Sequence, residues 1–552
     1  MIKLPGIFKN HAVLQRDQKI SIWGKTDAKQ VYITIKDANG DELCKLDATS
    51  NNNIFEVKTG PFNAGGPYNL IVCAGDDKCV LDDIYFGDVY IAGGQSNMEL
   101  ELQNSKDGKE ECENCDNPNI RFYYTPKVAW LGEELNKAES ESAWQLCKPG
   151  ETKCWSAVGY YFAKALTEEI DKAPAKGLSN DQNIMIGIIG CNWGGTSASA
   201  WMSKEKLSEY PETKVYLDRY DELTKDQDYD EYLKAYDEYV VYQAEFDKNV
   251  GNYYMTAKNP SWDEAIKLFG ENKYPGPMGP KNWTRPSGLY ETMLKRIAPY
   301  GICGVLWYQG EDDDNRPYAY KRLLKSLIEN WREDFENSEL PFYIVQLPVF
   351  KNEGEDDFKN WPFLRESEFD ISTEDDNCHT AVCLEAGEKY NIHPLDKETV
   401  GYRLAYLALY NRYGLCDKWD AYGPSLINAY SEGNFIYAEI DCCDNGLVTD
   451  GDDGFLEDVY MESYLPDDAG FEIAGKDGVY FDAKVQVLRG DDCIVLKMSS
   501  DKVSEPLFAR YFWKNFGKVR VYGACGIPLA PFRTDKNDNA KALGTRQGEL
   551  LG

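Results

Sequence analysis

Between residues 86 and about 415, short apolar runs alternate with longer segments of helical period. "IMIGIIG", "GVLWYQG" and "PFYIVQLPVF" read as buried strands, and "AVGYYFAKALTEEI" and "YKRLLKSLIENWREDF" as amphipathic helices. Strands in such alternation pair in parallel, because a helix must carry the chain back across the sheet, and helices then cover both faces. This pattern limits the middle of the chain to an α/β fold. It is bracketed by β-rich ends: "KISIWGKT", "QVYITIKDANGDEL" and "YNLIVCAGDD" before it, "GNFIYAEIDCCDNGLVT", "AKVQVLRGDDCIVLKM" and "KVRVYGACGIPL" after it. With 552 residues the chain exceeds what one core organises. The expected division is an N-terminal β-domain at 1–85, an α/β domain at 86–415 and a C-terminal β-domain at 420–552, with the two β-regions able to pack as one accessory unit. Inside the α/β region, 205–285 is an acidic, tyrosine-rich insertion. Tyr229, Tyr232, Tyr236 and Tyr239 recur at helical spacing, so they are expected to line one inward face.

Charge narrows the partners. A formal net charge of −33 disfavours nucleic acid and anionic membranes, and no run reaches the roughly 18 apolar residues of a membrane helix. The opening Met1-Ile2-Lys3-Leu4-Pro5 has no apolar leader, so a cytoplasmic location is expected, or secretion if a leader has been removed. The 16 cysteines are then expected as free thiols. Cys112-x-x-Cys115 is followed by Cys147 and Cys154, a spacing wrong for a zinc ribbon, and no histidine lies nearby. Neither metal nor cofactor is expected.

The chemistry is concentrated at strand ends. In "GDVYIAGGQSNMEL" a β-run stops at Gly93-Gly94 and hands the chain to Gln95, Ser96, Asn97 and Met98. Glycine allows a sharp strand-to-helix corner, the setting that exposes a nucleophilic serine at the carboxyl end of an α/β sheet. The match to G-x-S-x-G is incomplete, since Met98 stands at the second glycine. Only three histidines exist: His11, His379 and His393. His393 precedes a helix in "YNIHPLDKETVGYRLA", and Pro394 keeps it in a loop; His11 and His379 read as structural. Two further strand ends, "GCNWGGTSASAWMS" and "LWYQGEDDDN", add glycine pairs and Gln309-Gly310-Glu311. Nucleophile, base and amide donors together are the requirements of an acyl hydrolase.

These blocks carry a resemblance. "GDVYIAGGQSNMEL", "GIIGCNWGGTSASAWMS", "RPSGLYETMLKRIAPYGICGVLWYQGE", "YNIHPLDKETVGYRLA" and "GIPLAPFRTD", in this order, resemble the sialate O-acetylesterases and related carbohydrate acetylesterases of the SGNH hydrolase superfamily. The resemblance implies a flavodoxin-like three-layer α/β/α domain with flanking β-sandwich-like regions, removing O-acetyl groups from sugars without metal or cofactor. Ser96 resembles the nucleophile and His393 its base. The Ser96 N–H, an N–H of Gly194-Gly195 and the Gln309 side chain resemble the oxyanion hole, and Glu311 orders the pocket. The family places Asp two or three residues before the histidine; here Tyr390 and Asn391 stand there, with Glu388 the nearest upstream carboxylate. Asn391 is therefore the expected acceptor for the His393 ring, with a backbone carbonyl or Glu388 as alternatives. The block after Glu311 departs as well, reading Asp312-Asp313-Asp314-Asn315. Arg285 and Arg316 are candidates for a sialate carboxylate, and Trp201 for contact with the sugar. The expected partner is an acetylated sugar or glycan, the oligomeric state being open. A neutral-glycan acetylesterase such as one for acetylxylan, and a catalytically dead carbohydrate-binding protein, are the alternatives.

Overall fold

The computed structural model describes residues 1–535, except 175–183, 259–260, 353, 355–356, 358, 443–445, 451–455 and 491–492; the segment 536–552 of the expected C-terminal domain lies outside the described residues. Six parallel strands form its centre: β1 (Asp77–Gly94), β2 (Asn117–Tyr124), β3 (Ile186–Asn192), β4 (Gly304–Tyr308), β5 (Phe342–Gln346) and β6 (Cys378–Val382). Their spatial order is β6-β5-β4-β1-β3-β2, and an antiparallel strand, Trp144–Cys147, closes the β2 edge. Every residue of β3, β4, β5 and β6 is buried, which is why these runs show no alternation of apolar and polar residues.

Helices cover both faces. On one lie α2 (Ala157–Lys172) and α6 (Lys397–Ala408); on the other lie α4 (Pro317–Asp334) and α5 (Trp361–Glu374), with α1 (Ser96–Glu99) at the end of β1 and α3 (Tyr229–Thr256) in the insertion. Alternation along β1 sorts the faces. Tyr90 meets Phe162 of α2 with ring centroids 4.8 Å apart. Gly93, pointing the other way, lies against Trp307 and Trp331 of α4. Gly401 of α6 faces α2 so closely that an added Cβ would stand 2.6 Å from Tyr161 Cβ and 2.9 Å from Phe162 N.

β1 is 18 residues long and serves two sheets. Its first half pairs antiparallel with Gly65–Ala74 in the N-terminal β-region, and its second half pairs with β3 and β4. The C-terminal region forms three antiparallel sheets of four, three and four strands. Its core, which includes Ile440, Val487, Leu496 and Tyr511, gathers Val349, Val382 and Leu384 from the carboxyl ends of β5 and β6. Buried Arg365 of α5 joins the two regions, donating to Leu347 O and Pro348 O on one side and Lys514 O and Asn515 O on the other. No described helix is long and apolar enough to cross a membrane.

Candidate active site

The glycine pair ends β1 as a backbone necessity. Gly94 has φ +135°, and a Cβ there would lie 2.1 Å from Tyr308 O of the neighbouring strand. The chain turns, Gln95 N–H bonds Tyr308 O, and α1 begins at Ser96. Ser96 N–H, the first of its helix, has no acceptor among the described residues.

Opposite it, the loop between β6 and α6 presents His393. Its Nε2 lies 2.8 Å from Ser96 Oγ. The two residues are 297 positions apart in sequence and meet because β1 and α6 both deliver their ends to the carboxyl edge of the sheet. Desolvation by the surrounding protein, and then the Lys397 ammonium, lower the His393 imidazolium from its ordinary value to about 4. The residue is nevertheless exposed to solvent and keeps part of its hydration, so the depression in solution is smaller than that.

The expected partner of the ring is corrected. Asn391 Oδ1 accepts from the His393 backbone N–H at 3.0 Å, and Asn391 Nδ2 donates to Glu388 Oε2. The other Glu388 oxygen accepts from Leu395 N at 2.8 Å. Both residues brace the loop and neither bonds the imidazole; a short side chain two residues before the histidine reaches its amide more readily than its ring. Among the described residues His393 Nδ1 has no hydrogen-bond partner.

The oxyanion donors are redistributed too. Gln309 is buried and both amide hydrogens are engaged, with Thr196 O at 3.1 Å and Asp313 Oδ2 at 2.7 Å. Asp313 also accepts from Ser197 Oγ, Ala198 N and Tyr216 OH, so it is the anchor that claims Gln309. Gly194 packs on Ser96, but its N–H bonds Glu99 Oε2 at 2.5 Å, and Glu99 is paired with Lys127. The Gly195 N–H has no acceptor among the described residues, while its carbonyl accepts from Tyr274 OH.

Three substrate-binding expectations fall. Arg285 is buried, ion-paired to Glu291 and donating to Pro280 O. Arg316 donates to Glu212 O and lies over the Tyr216 ring. Trp201 is fully buried, its indole N–H on Thr196 Oγ1. The insertion takes over a wall of the site. Tyr232, Tyr236 and Tyr239 turn inward while Tyr229 stays exposed. Tyr239 stacks on Trp283, Trp283 stacks on Trp193 at 6.0 Å, and Trp283 Nε1 donates to Gly194 O.

Beneath Ser96 lie side chains that sequence reasoning passed over. Asn97 is fully buried and bonds Glu311, Ile392 O and Lys397. Burial lowers the Lys397 ammonium to about 7 and raises the Glu311 carboxyl. Lys397 had one readable signal, a lysine at the first helical position four residues after the histidine. His11 bonds Asp83 and His379 bonds Tyr422, away from Ser96. Cys112, Cys115, Cys147 and Cys154 are free thiols, and among the described residues no group of three or more His, Cys, Asp or Glu is arranged to hold a metal ion.

Comparison with known proteins agrees with this geometry. A carbohydrate acetylesterase from Xanthomonas citri shares the fold, with TM-score 0.72 over 97% of this chain and 100% of its own at 24% identity. Residues 276–405 match the profile of the family described as carbohydrate esterase, sialic acid-specific acetylesterase. The profile match and the curated relatives support an ester hydrolase. Mouse sialate O-acetylesterase is 26% identical over 441 residues, 73% of this chain and 72% of its own, and the human enzyme is 24% identical over 438. The chain is thus similar to the sialate O-acetylesterases over about three quarters of its length.

Proposed function

We propose that the protein hydrolyses O-acetyl esters on sugars through a Ser96–His393 pair. The observation that carries this reading is the 2.8 Å contact between His393 Nε2 and Ser96 Oγ at the carboxyl edge of a parallel sheet. The strand order supports the SGNH reading: with the edge strand β2 set aside, β1, β3, β4, β5 and β6 follow the flavodoxin-like order 2-1-3-4-5.

In this mechanism Ser96 Oγ attacks the acetyl carbonyl as its proton passes to His393 Nε2. The carbonyl oxygen becomes an oxyanion, and the uncommitted N–H groups of Ser96 and Gly195 are the donors available to it. Collapse breaks the bond to the sugar oxygen, which leaves as the alcohol with the proton returned by His393. Water, deprotonated by the same imidazole, then releases acetate and restores Ser96. Among the described residues none accepts from His393 Nδ1, so the imidazolium is stabilised less than beside a carboxylate.

The names of the relatives support a sialate as the sugar. A second reading, a neutral acetylated glycan, is favoured by Arg285, whose guanidinium is buried in an ion pair with Glu291. Rates on O-acetylated sialic acid and on acetylated xylan separate the two. Ser96→Ala tests the common mechanism. It should fold as the parent does and lose on the order of 10³-fold or more in kcat on a chromogenic acetate ester; near-parental turnover would remove Ser96 from the chemistry, and a parent without esterase activity would leave the carbohydrate-binding reading.

A further inference from the structure

The residue after the nucleophile joins three separate parts of the chain. Asn97 Nδ2 donates to Ile392 O at 2.9 Å and to Glu311 Oε1 at 2.5 Å, and its Oδ1 accepts from Lys397 Nζ at 2.6 Å. One amide thus ties the end of β1 to the loop after β4 and to the loop that carries His393. Ile392 immediately precedes the histidine. With both amide hydrogens and the oxygen engaged, the orientation of the Asn97 group is fixed by its partners.

Lys397 and Asn97 are fully buried, and Glu311 is nearly so. Lys397 Nζ lies 5.2 Å from the Tyr308 ring centroid. The lysine and the carboxylate are a charge pair bridged by the amide between them. Such a buried arrangement is weak evidence for stability, because apolar residues of similar size often do as well. Its geometry points to another role. The His393 ring has no anchor of its own at Nδ1, so its placement depends on the backbone beside it. Asn391, Glu388 and the Lys106 N–H on Leu395 O hold that backbone on either side of the histidine; at the residue before it, the Ile392 carbonyl is held by Asn97.

We propose that Lys397 and Glu311 are positioning residues that lock the Asn97 amide, and that Asn97, through the Ile392 carbonyl, sets the His393 imidazole against Ser96. The proposal rests on Ser96 and His393 being the reacting pair. A displacement of about 1 Å at reacting atoms costs about 10²-fold in rate, so the loss is expected in kcat rather than in KM.

The experiment uses the full chain and an aryl acetate and a sugar acetate as substrates. Lys397→Met removes the ammonium but strands the Glu311 carboxylate, and it can fail for that reason alone. The Glu311→Gln/Lys397→Met double variant leaves no buried charge and keeps the protein foldable. In the double variant kcat is expected to fall about 10- to 100-fold on both substrates, with KM within about threefold and a melting temperature no lower than that of Lys397→Met. A natively folded double variant with parental kcat overturns the proposal. So does a loss traced by active-site titration to fewer working sites at parental turnover, which marks a purely structural role. Ser96→Ala is measured alongside. If it retains turnover, the Ser–His reading fails and takes this proposal with it; if it is inactive while the double variant is parental, the positioning proposal alone fails.

Discussion

A base must be unprotonated to take the serine proton, so the fate of His393 with pH follows from its surroundings. Burial and Lys397 disfavour the imidazolium. The folded value therefore lies below the ordinary 6.5, and activity that depends on neutral His393 is retained from alkaline pH down past 6.5 and lost as pH falls through the lowered value. A kcat/KM profile on a neutral sugar acetate should have its acid limb below 6.5. A midpoint above it would mean that a carboxylate faces the ring during catalysis. The loop braces give a second expectation. Glu388→Gln keeps an oxygen for Leu395 N–H and should lose less than about tenfold in kcat, whereas Asn391→Ala, which strands the His393 N–H, should lose about tenfold. Steady-state rates with KM reported separately check both, and a collapse in Glu388→Gln with intact folding would give that carboxylate a direct part in the chemistry. At this scale the sequence singled out the two side chains that the fold brings within 2.8 Å of each other, because a serine after a glycine pair and one of only three histidines leave little choice. It did not reveal which amides are free. Gln309 and Gly194 read as oxyanion donors, yet Asp313 and Glu99 claim their hydrogens through contacts between residues that nothing in linear order brings together.

The helix pair α2 and α6 decides where the histidine loop ends. Their approach depends on Gly401, whose missing side chain lets Tyr161 and the α2 backbone come close. Gly401→Ala places a methyl group within 3.0 Å of backbone atoms at Phe162 and Val158, so the helices must separate. The expected cost is about 1–3 kcal/mol, read as a shift in urea midpoint, and kcat should fall as well because α6 starts with Lys397. Unchanged stability would mean that the pair has slack the contact distances do not suggest. Elements of this kind were largely legible. Parallel strands buried on both faces and helices of clear period announce themselves in the pattern of apolar residues. The insertion was legible in part: its tyrosine stripe turns inward, but the aromatic chain from Tyr239 through Trp283 to Trp193 joins residues far apart in sequence, and periodicity along one helix says nothing of its destination.

Across the whole molecule, the C-terminal β-region is coupled to the α/β core by few groups of high consequence. Arg365 serves carbonyls from both, and Arg533 makes a two-pronged pair with Glu366 of α5. Arg365→Met would leave Leu347 O, Pro348 O and Lys514 O without this donor, while Asn515 O keeps the Phe350 N–H, at a cost of about 3 kcal/mol or more. Calorimetry should then resolve the parent transition into two, the C-terminal region melting first; a single unshifted transition would show that the apolar contact alone couples them. The other junction is of a different nature. An 18-residue strand can extend up to about 60 Å, and here its first half is gripped by one sheet while its far end carries the serine. In mechanical terms it is a cantilever built into a separate block. One continuous strand thus joins the N-terminal sheet to the corner that carries Ser96. Cutting the chain before residue 77 would not release a spare module but would pull the support from under the nucleophile.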